Sequence, residues 1–369
     1  MDSKIETVPP KKKGRLALFF SLPVLSWAFY DFANTIFSSN INTIFFPFYL
    51  QETVGENEVL NQIASTFISY ANAFASFFLV LFTPLFGVMI DRTGRKKKYI
   101  MIFTLITVAG TFFMGIFGGL ELEGKLFGVP LPLAIVVMLF FIAKFFYHSS
   151  LVFYDAMITD FGKKEELPLI SGFGVADGYI GTLVGLAVYP FVGENGSHQA
   201  FIPTAVLFLV FSLPLFIFIK DKPKQGQGRF PFLSGYKEII QTFKEMRAHQ
   251  SIYTFMIAYF FLNDAIATAI GMMAVYAKAV VGFSSGGFIL LYLVSTVSSI
   301  IGSFLFGYVA KAKGSKLAVT YVGTLLFVAL GVAAAAPNAA WFWVCRQPFW
   351  DCPWFYVGDL QDIYRRAHT

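Results

Sequence analysis

Cysteine and charge are the two things this chain has least of. Only 2 Cys occur in 369 residues, and both, Cys345 and Cys352, sit in the last 25 positions, so neither a disulfide framework nor a cysteine metal cluster is supported. Charged residues make up 14% of the chain, against roughly 25% in a soluble domain. Too few charges are available to cover a large soluble helical protein, which sets that reading aside. What the chain has instead is apolar length: 56% of it is hydrophobic, with 46 Phe. A membrane-crossing helix needs roughly 20 mostly apolar residues, because its backbone must satisfy its own hydrogen bonds across about 30 Å of hydrocarbon. Nine such stretches are present, near 22–50, 62–90, 99–119, 132–156, 169–193, 200–219, 251–277, 287–310 and 317–336. Lys11, Lys12 and Lys13 precede the first, but no small-residue cleavage site follows, so the segment is expected to stay as a helix and not to leave as a signal peptide.

The basic residues set a topology. Segments 1–23, 91–98, 157–168, 220–250 and 311–316 hold 22 of the 28 Lys and Arg, while the alternate loops hold Lys125 alone. The positive-inside rule then predicts a cytoplasmic amino terminus, in the plasma (inner) membrane if the chain is bacterial. Six of the eight positions Asp91 to Lys98 are charged, between uncharged runs at 59–90 and 99–120. A basic inside turn accounts for Lys96, Lys97 and Lys98. It does not account for the spacing of Gly87, Asp91, Arg92, Gly94 and Arg95. Glycines let helix ends approach, an acid at a helix end can pair across an interface, and arginine offers a rigid donor fork.

That G-x-x-x-D-R-x-G-R-K pattern resembles the loop signature of the major facilitator superfamily, at the place where that family has it, between the second and third helices. A second copy 220 residues later keeps the offsets with Gly307, Lys311, Gly314 and Lys316, although Lys311 stands where the acid should be, which weakens any latch there. "WAFYDFAN" (27–34), "FYDA" (153–156) and "SGFGVADGYIG" (171–181) are similar to the branch containing the vacuolar amino-acid effluxers of autophagy and their bacterial relatives. The resemblance, over about 22–340, implies an all-α major facilitator fold with about nine of an expected twelve transmembrane helices, alternating access between two bundles, a small-molecule substrate with amino acids as the best-known cargo, and no enzymatic activity or cofactor. The expected organisation is an amino-terminal bundle over 1–220, a cytoplasmic linker over 221–250, a partial second bundle over 251–340 and an aberrant tail over 341–369. Four of the five Trp fall in that tail, and no apolar span follows Arg346. A frame shift near Val344 to Arg346 is the expected cause, since reading the Trp codons of Trp350 and Trp354 one base later gives Gly; a truncated, inactive transporter is the corresponding alternative.

Polar residues inside the spans are the candidate site. In the first span Asp31, Thr35, Ser38 and Asn42 fall within about 60° of one another on a regular helix, with Asn34 beside them. A carboxylate in hydrocarbon needs water, a partner or a proton, so Asp31 is a candidate for substrate contact or proton coupling, with an interhelical hydrogen bond as the alternative. The fourth span places Lys144, His148 and Asp155 on one face, with Asp155 about 16 Å from Lys144 toward the basic side. Lys144 should bind an anionic group or pair with Asp177 or Asp264. His148 is either titratable or a packing residue, and an acid–base pair with Asp155 is the sole enzymatic alternative, lacking a nucleophile or metal motif. Gly172, Gly174, Gly178, Gly181 and Gly185 suit either tight packing or a hinge. Asn263 and Asp264 in the seventh span are the expected counterpart of the first stripe. In the linker, Tyr236, Ile239, Ile240 and Phe243 share a helical face that suits the membrane surface, with lipid headgroups and not nucleic acid as its partner. A cysteine placed at position 97 is expected to resist a membrane-impermeant thiol reagent added outside the cell; ready labelling there overturns the topology.

Overall fold

The computed structural model describes residues 20–334, apart from 55–57, 127–128, 163–165, 193–195, 223–233, 280 and 314. The 341–369 tail, with its frame-shift reading, lies outside these residues. Each apolar stretch becomes a helix. The first is α1 (Leu22–Phe37), a π-helical segment (Ser38–Phe45) and α2 (Phe46–Val54), running on without a break. The next are α3 (Glu58–Thr93), α4 (Lys96–Gly118), α5 (Leu131–Met157), α6 (Leu167–Leu186) and α7 (Phe201–Phe218). A linker helix α8 (Ser234–Ala248) leads to α9 (Gln250–Ala279), α10 (Ser285–Lys313) and α11 (Ser315–Ala334). Seven of these are long and apolar enough by themselves to cross a membrane; the π segment divides the first span, and Thr320–Gly331 is the apolar part of the last. A short hairpin, β1 (Lys125–Leu126) against β2 (Val129–Pro130), turns the chain between α4 and α5.

Small residues and aromatics assemble the first bundle. Gly110 of α4 lets Ala143 of α5 approach, and Thr107 Oγ1 donates to the Ala143 carbonyl at 3.3 Å. Phe46 and Phe140 stack at 3.6 Å, and Trp27 lies flat on Tyr154 at 4.7 Å. Between α1 and α6 the glycines meet side chains of α1 and, at Gly181, its backbone. A Cβ on Gly174 would lie 2.6 Å from the Trp27 ring, and one on Gly181 would run into the Phe32 carbonyl. Lipid tails are as apolar as leucine, so such close packing and not hydrophobic burial holds the two helices together. The packing reading of this stripe therefore describes Gly174, Gly178, Gly181 and Gly185; Gly172 faces open space and belongs to neither neighbour.

The π segment is absent from a reading based on regular helices. Its sequence, SSNINTIF, offers side-chain partners that compete with the ordinary ladder. Thr43 Oγ1 donates to the Ser38 carbonyl, five residues back, at 3.2 Å. Asn40 Nδ2 donates across the bundle to the Gly185 carbonyl at 2.9 Å and to Thr204 Oγ1 at 3.0 Å. An eight-residue π segment fixed this way rotates everything after it relative to Asp31.

The second half meets the first on the side away from the 91–98 loop. Phe288 of α10 packs edge-on to Phe48 of α2 at 5.5 Å, and Lys278 Nζ of α9 sits 3.9 Å above the Phe48 ring. Ser69 reaches Met272 Sδ at 4.0 Å, and Gly286 admits the Tyr189 hydroxyl. The first half of α9 is largely exposed, Asn263 and Asp264 at its middle included. The linker helix is pinned to α3: the Tyr236 hydroxyl donates to the Leu81 carbonyl and Gly235 fits against Pro84, leaving Ile240 and Phe243 outward. The side chain of Ile239 is outside the described residues. Of the expected membrane-facing set, Tyr236 is thus turned to protein.

Gly181→Val, which forces a branched side chain into the Phe32 carbonyl, is expected to cost about 1–3 kcal/mol of stability by overpacking. Gly172→Ala is expected to leave stability unchanged. Thermal unfolding of the two variants in the same detergent checks both.

Candidate functional site

A cavity of about 100 Å³ lies between the two halves. The first span lines it with Asp31, Thr35, Ser38, Ser39 and Thr43; α6 adds Val175, Gly178, Tyr179 and Thr182. The opposite wall is Ile270 of α9 with Tyr292 and Thr296 of α10. Gly178 is what gives Asp31 its room. A Cβ there would stand 2.8 Å from Thr35 Oγ1 and 3.3 Å from Asp31 Oδ2. Thr35 Oγ1 donates to the Asp31 carbonyl at 2.8 Å, which holds the hydroxyl beside the carboxylate. Asp155 and Asp177 lie near enough for their charges to act on Asp31. The result is one carboxylate facing a ring of hydroxyls: an arrangement that accepts from an ammonium or other donor and offers hydroxyls to a polar remainder.

Three residues of the predicted stripe, Asp31, Thr35 and Ser38, reach this cavity. Asn42 does not. The π turn moves the stripe by one position, so Ser39 and Thr43 take the places a regular helix gives to Asn42, whose Oδ1 is buried without a hydrogen-bond partner among the described residues. Asn34 is buried on the other face of α1, its amide likewise unpartnered among the described residues, while its backbone carbonyl accepts from the Tyr147 hydroxyl at 3.3 Å. Asp177 borders the cavity through Gly178 without lining it. Asn263 and Asp264 are exposed and not part of the wall; the cavity's contact on α9 is Ile270, further along. Tyr179, Thr182, Tyr292 and Thr296 lie on helices where only charged and amide residues mark a site in the sequence; the four-residue spacing of Tyr292 and Thr296 on α10 is the available signal.

Lys144 pairs with neither Asp177 nor Asp264. Its ammonium donates to Asn72 Oδ1 of α3 and sits 5.5 Å from the Phe140 ring centroid. Residue 72 occupies the facing position on α3, a neighbour that spacing along α5 gives no means of finding. His148, one turn on, contacts the ring of Tyr147 and lines no part of the cavity; no hydrogen bond joins it to Asp155 among the described residues, so the acid–base pair is not formed.

The 91–98 loop is organised by acceptors the spacing did not reveal. Gly94 takes φ 60°, where its N–H bonds to the Ile90 carbonyl at 3.0 Å and ends α3. Asp221, just after α7, caps α4: its carboxylate accepts from the backbone N–H groups of Lys97 and Lys98 at 2.7 and 3.1 Å. Lys96 bonds to the Ala156 carbonyl at 2.8 Å and to Asp160 at 2.7 Å. These contacts stay within the first bundle. Asp91 and Arg95 are exposed, Arg92 is partly buried, and among the described residues nothing lies within 4 Å of where a Cβ of Gly87 would be, so the close approach expected of it is not seen there. In the second copy, α10 ends at Lys313 and α11 begins at Ser315; the side chains of Gly307, Lys311, Gly314 and Lys316 lie outside the described residues.

The Major Facilitator Superfamily model matches residues 27–354. Among curated proteins the chain is similar to the uncharacterized MFS-type transporter YxiO of Bacillus subtilis, 25% identical over 322 residues, covering 84% of this chain and 72% of that protein. An uncharacterized protein of Aquifex aeolicus is 23% identical over 77% of this chain, which spans 65% of that protein's length. Autophagy-related protein 22-1 of Neosartorya fischeri is 25% identical over 45% of this chain and 30% of its own length. Of solved structures, a bacterial homolog of the human lysosomal transporter Spinster superposes with a TM-score of 0.57 at 15% identity, covering 95% of this chain and 74% of that one. A D-xylose–proton symporter gives 0.56 at 13%, covering 94% and 82%.

Removing the ammonium above Phe48 is expected to loosen the closed seam. With Cys345 and Cys352 replaced by serine, Lys278→Met should raise labelling of Thr43→Cys from the side opposite the 91–98 loop by roughly 2- to 30-fold, the range of one cation–π contact. An unchanged rate shows that the contact does not hold the seam.

Proposed function

This chain belongs to the major facilitator superfamily, whose members are transporters and not enzymes, and from that premise we propose that it carries a small amino acid across the membrane as a secondary active transporter. The observation that carries this reading is the placement of Asp31 and its hydroxyl neighbours in a cavity with walls from both halves. A solute held there touches both bundles, so closure of one seam and opening of the other pass it across the membrane. The seam at Phe48, Lys278 and Phe288 is closed; in this reading the side of the 91–98 loop is the open one, which corresponds to one end state of such a cycle.

In this reading Asp31 takes the substrate's ammonium and exchanges a proton as the cycle proceeds, and Gly178 keeps its space clear. The loop from Asp91 to Lys96 is the latch of the alternative state: its Asp91, exposed now, becomes available to the second half when that side closes. The amino terminus and this loop are cytoplasmic, the membrane is the plasma membrane, and Ile240 and Phe243 of α8 rest on its lipid surface. An amino-acid cargo is supported by the similarity to the autophagy-related proteins and by the chemistry of a carboxylate facing hydroxyls.

Uptake of radiolabelled amino acids into everted vesicles tests this. Asp31→Asn is expected to lower the initial rate about 10- to 100-fold, the value of one charge-assisted hydrogen bond, and to remove its dependence on an imposed pH gradient. Transport that ignores the gradient, with Asp31→Asn unimpaired, refutes the role of Asp31.

A further inference from the structure

Lys144 is a cation inside a membrane helix, and among the described residues it has no acid. Its ammonium donates to the amide oxygen of Asn72 and lies against the Phe140 ring. An amide and a ring face each offer partial negative charge; neither neutralises an ammonium. An ionised side chain at this depth is costly unless a counter-charge or water reaches it. Lys144 is partly exposed, and it does not line the cavity itself.

Its position is as informative as its chemistry. Asn72 is the point where α3 meets the second half: its Nδ2 is 3.9 Å from where a Cβ of Gly271 would be, and Ser69, one turn earlier, touches Met272. Lys144 and Asn72 therefore stand beside the seam that closes over the cavity. Along the pairing of α1 with α5, Tyr30 meets Ser150 and Asn34 meets Tyr147. Continuing that antiparallel register sets Lys144 level with Ser38, about 10 Å along α1 from Asp31 at the usual helical rise. The ends of this stretch carry opposite charges, and Ser38 and Thr35 lie between them.

We propose that Lys144 and Asn72 form the carboxylate subsite of the transported solute, with the ammonium of Lys144 and the amide of Asn72 both donating to it. The assignment deepens the amino-acid reading and rests on it for the identity of the rest of the solute; the subsite itself needs only a carboxylate. Asn72 then has two roles. Without solute its oxygen holds the ammonium; with solute the amide turns its nitrogen to the carboxylate, and the same residue reports occupancy to Gly271 and α9. Amines lacking a carboxylate would leave Lys144 unneutralised and are excluded as cargo.

The test uses wild-type protein in lipid nanodiscs and reads Lys144 itself. Reductive methylation of Lys144 is followed by mass spectrometry, with exposed Lys237 as internal control. The additives, at equal concentration, are the amino acids, their carboxamides, short monocarboxylates such as acetate and lactate, and chloride. Protection of Lys144 several-fold by amino acids and monocarboxylates, but not by carboxamides or chloride, with Lys237 unaffected, is the expected result. Protection by monocarboxylates without amino acids keeps the subsite and refutes the amino-acid cargo. Equal protection by acids and carboxamides, or none by any carboxylate, overturns the subsite. In transport, Lys144→Arg should retain measurable discrimination of acid over carboxamide and Lys144→Gln should lose it; discrimination kept by Lys144→Gln also overturns the assignment.

Discussion

The contact between α1 and α6 is the constraint on which the site depends. Hydrocarbon gives two apolar helices no reason to prefer each other over lipid, so the attraction has to come from atoms in close contact. Gly174, Gly178 and Gly181 supply it by removing every side chain that would keep the backbones apart. The same absence that brings Phe32 to Gly181 leaves the space beside Gly178 in which the Asp31 carboxylate stands. A packing device and a polar pocket are thus produced by one stripe of small residues.

The π segment solves a second problem. A helix that crosses the bilayer must satisfy its own peptide groups, and a run of Ser, Asn and Thr invites competition for them. Here the competition is resolved by widening the helix over Ser38–Phe45. The Thr43 hydroxyl bonds five residues back, Asn40 bonds across to α6 and α7, and the hydroxyls of Ser39 and Thr43 come round to the cavity. The widened turn sits between the part of the span that carries Asp31 and the part that closes against Phe288 and Lys278.

The basic loop shows how charge at a membrane surface is divided between topology and structure. Lys96, Lys97 and Lys98 keep the turn on one side of the bilayer. They are also the start of α4, and the acids that receive them, Asp160 and Asp221, come from the ends of two other spans. These bonds tie three helices of one bundle into a unit that can move as a body, which rocking of two halves requires. Asp91 is left out of this network and remains exposed.

Apolar length and the distribution of Lys and Arg were enough to place the spans, because the cost of unsatisfied backbone and of buried charge acts on each segment separately. The same local reasoning put on one face Asp31 and Thr35, which precede the π segment, and Ser38, which opens it, and all three line the cavity. It failed at Asn42, where the period changes, because whether a polar run widens its helix depends on partners such as Gly185 and Thr204 that lie far away in the chain. It did not give the Asn72 partner of Lys144, the exposed place of Asp264 or the capping role of Asp221 for a related reason: spacing along one helix gives the face of a residue but not what stands opposite. That Lys144 meets an amide, that Asp264 is exposed and that Asp221 caps α4 follow from the rotation of each helix about its axis, which packing against neighbours alone fixes.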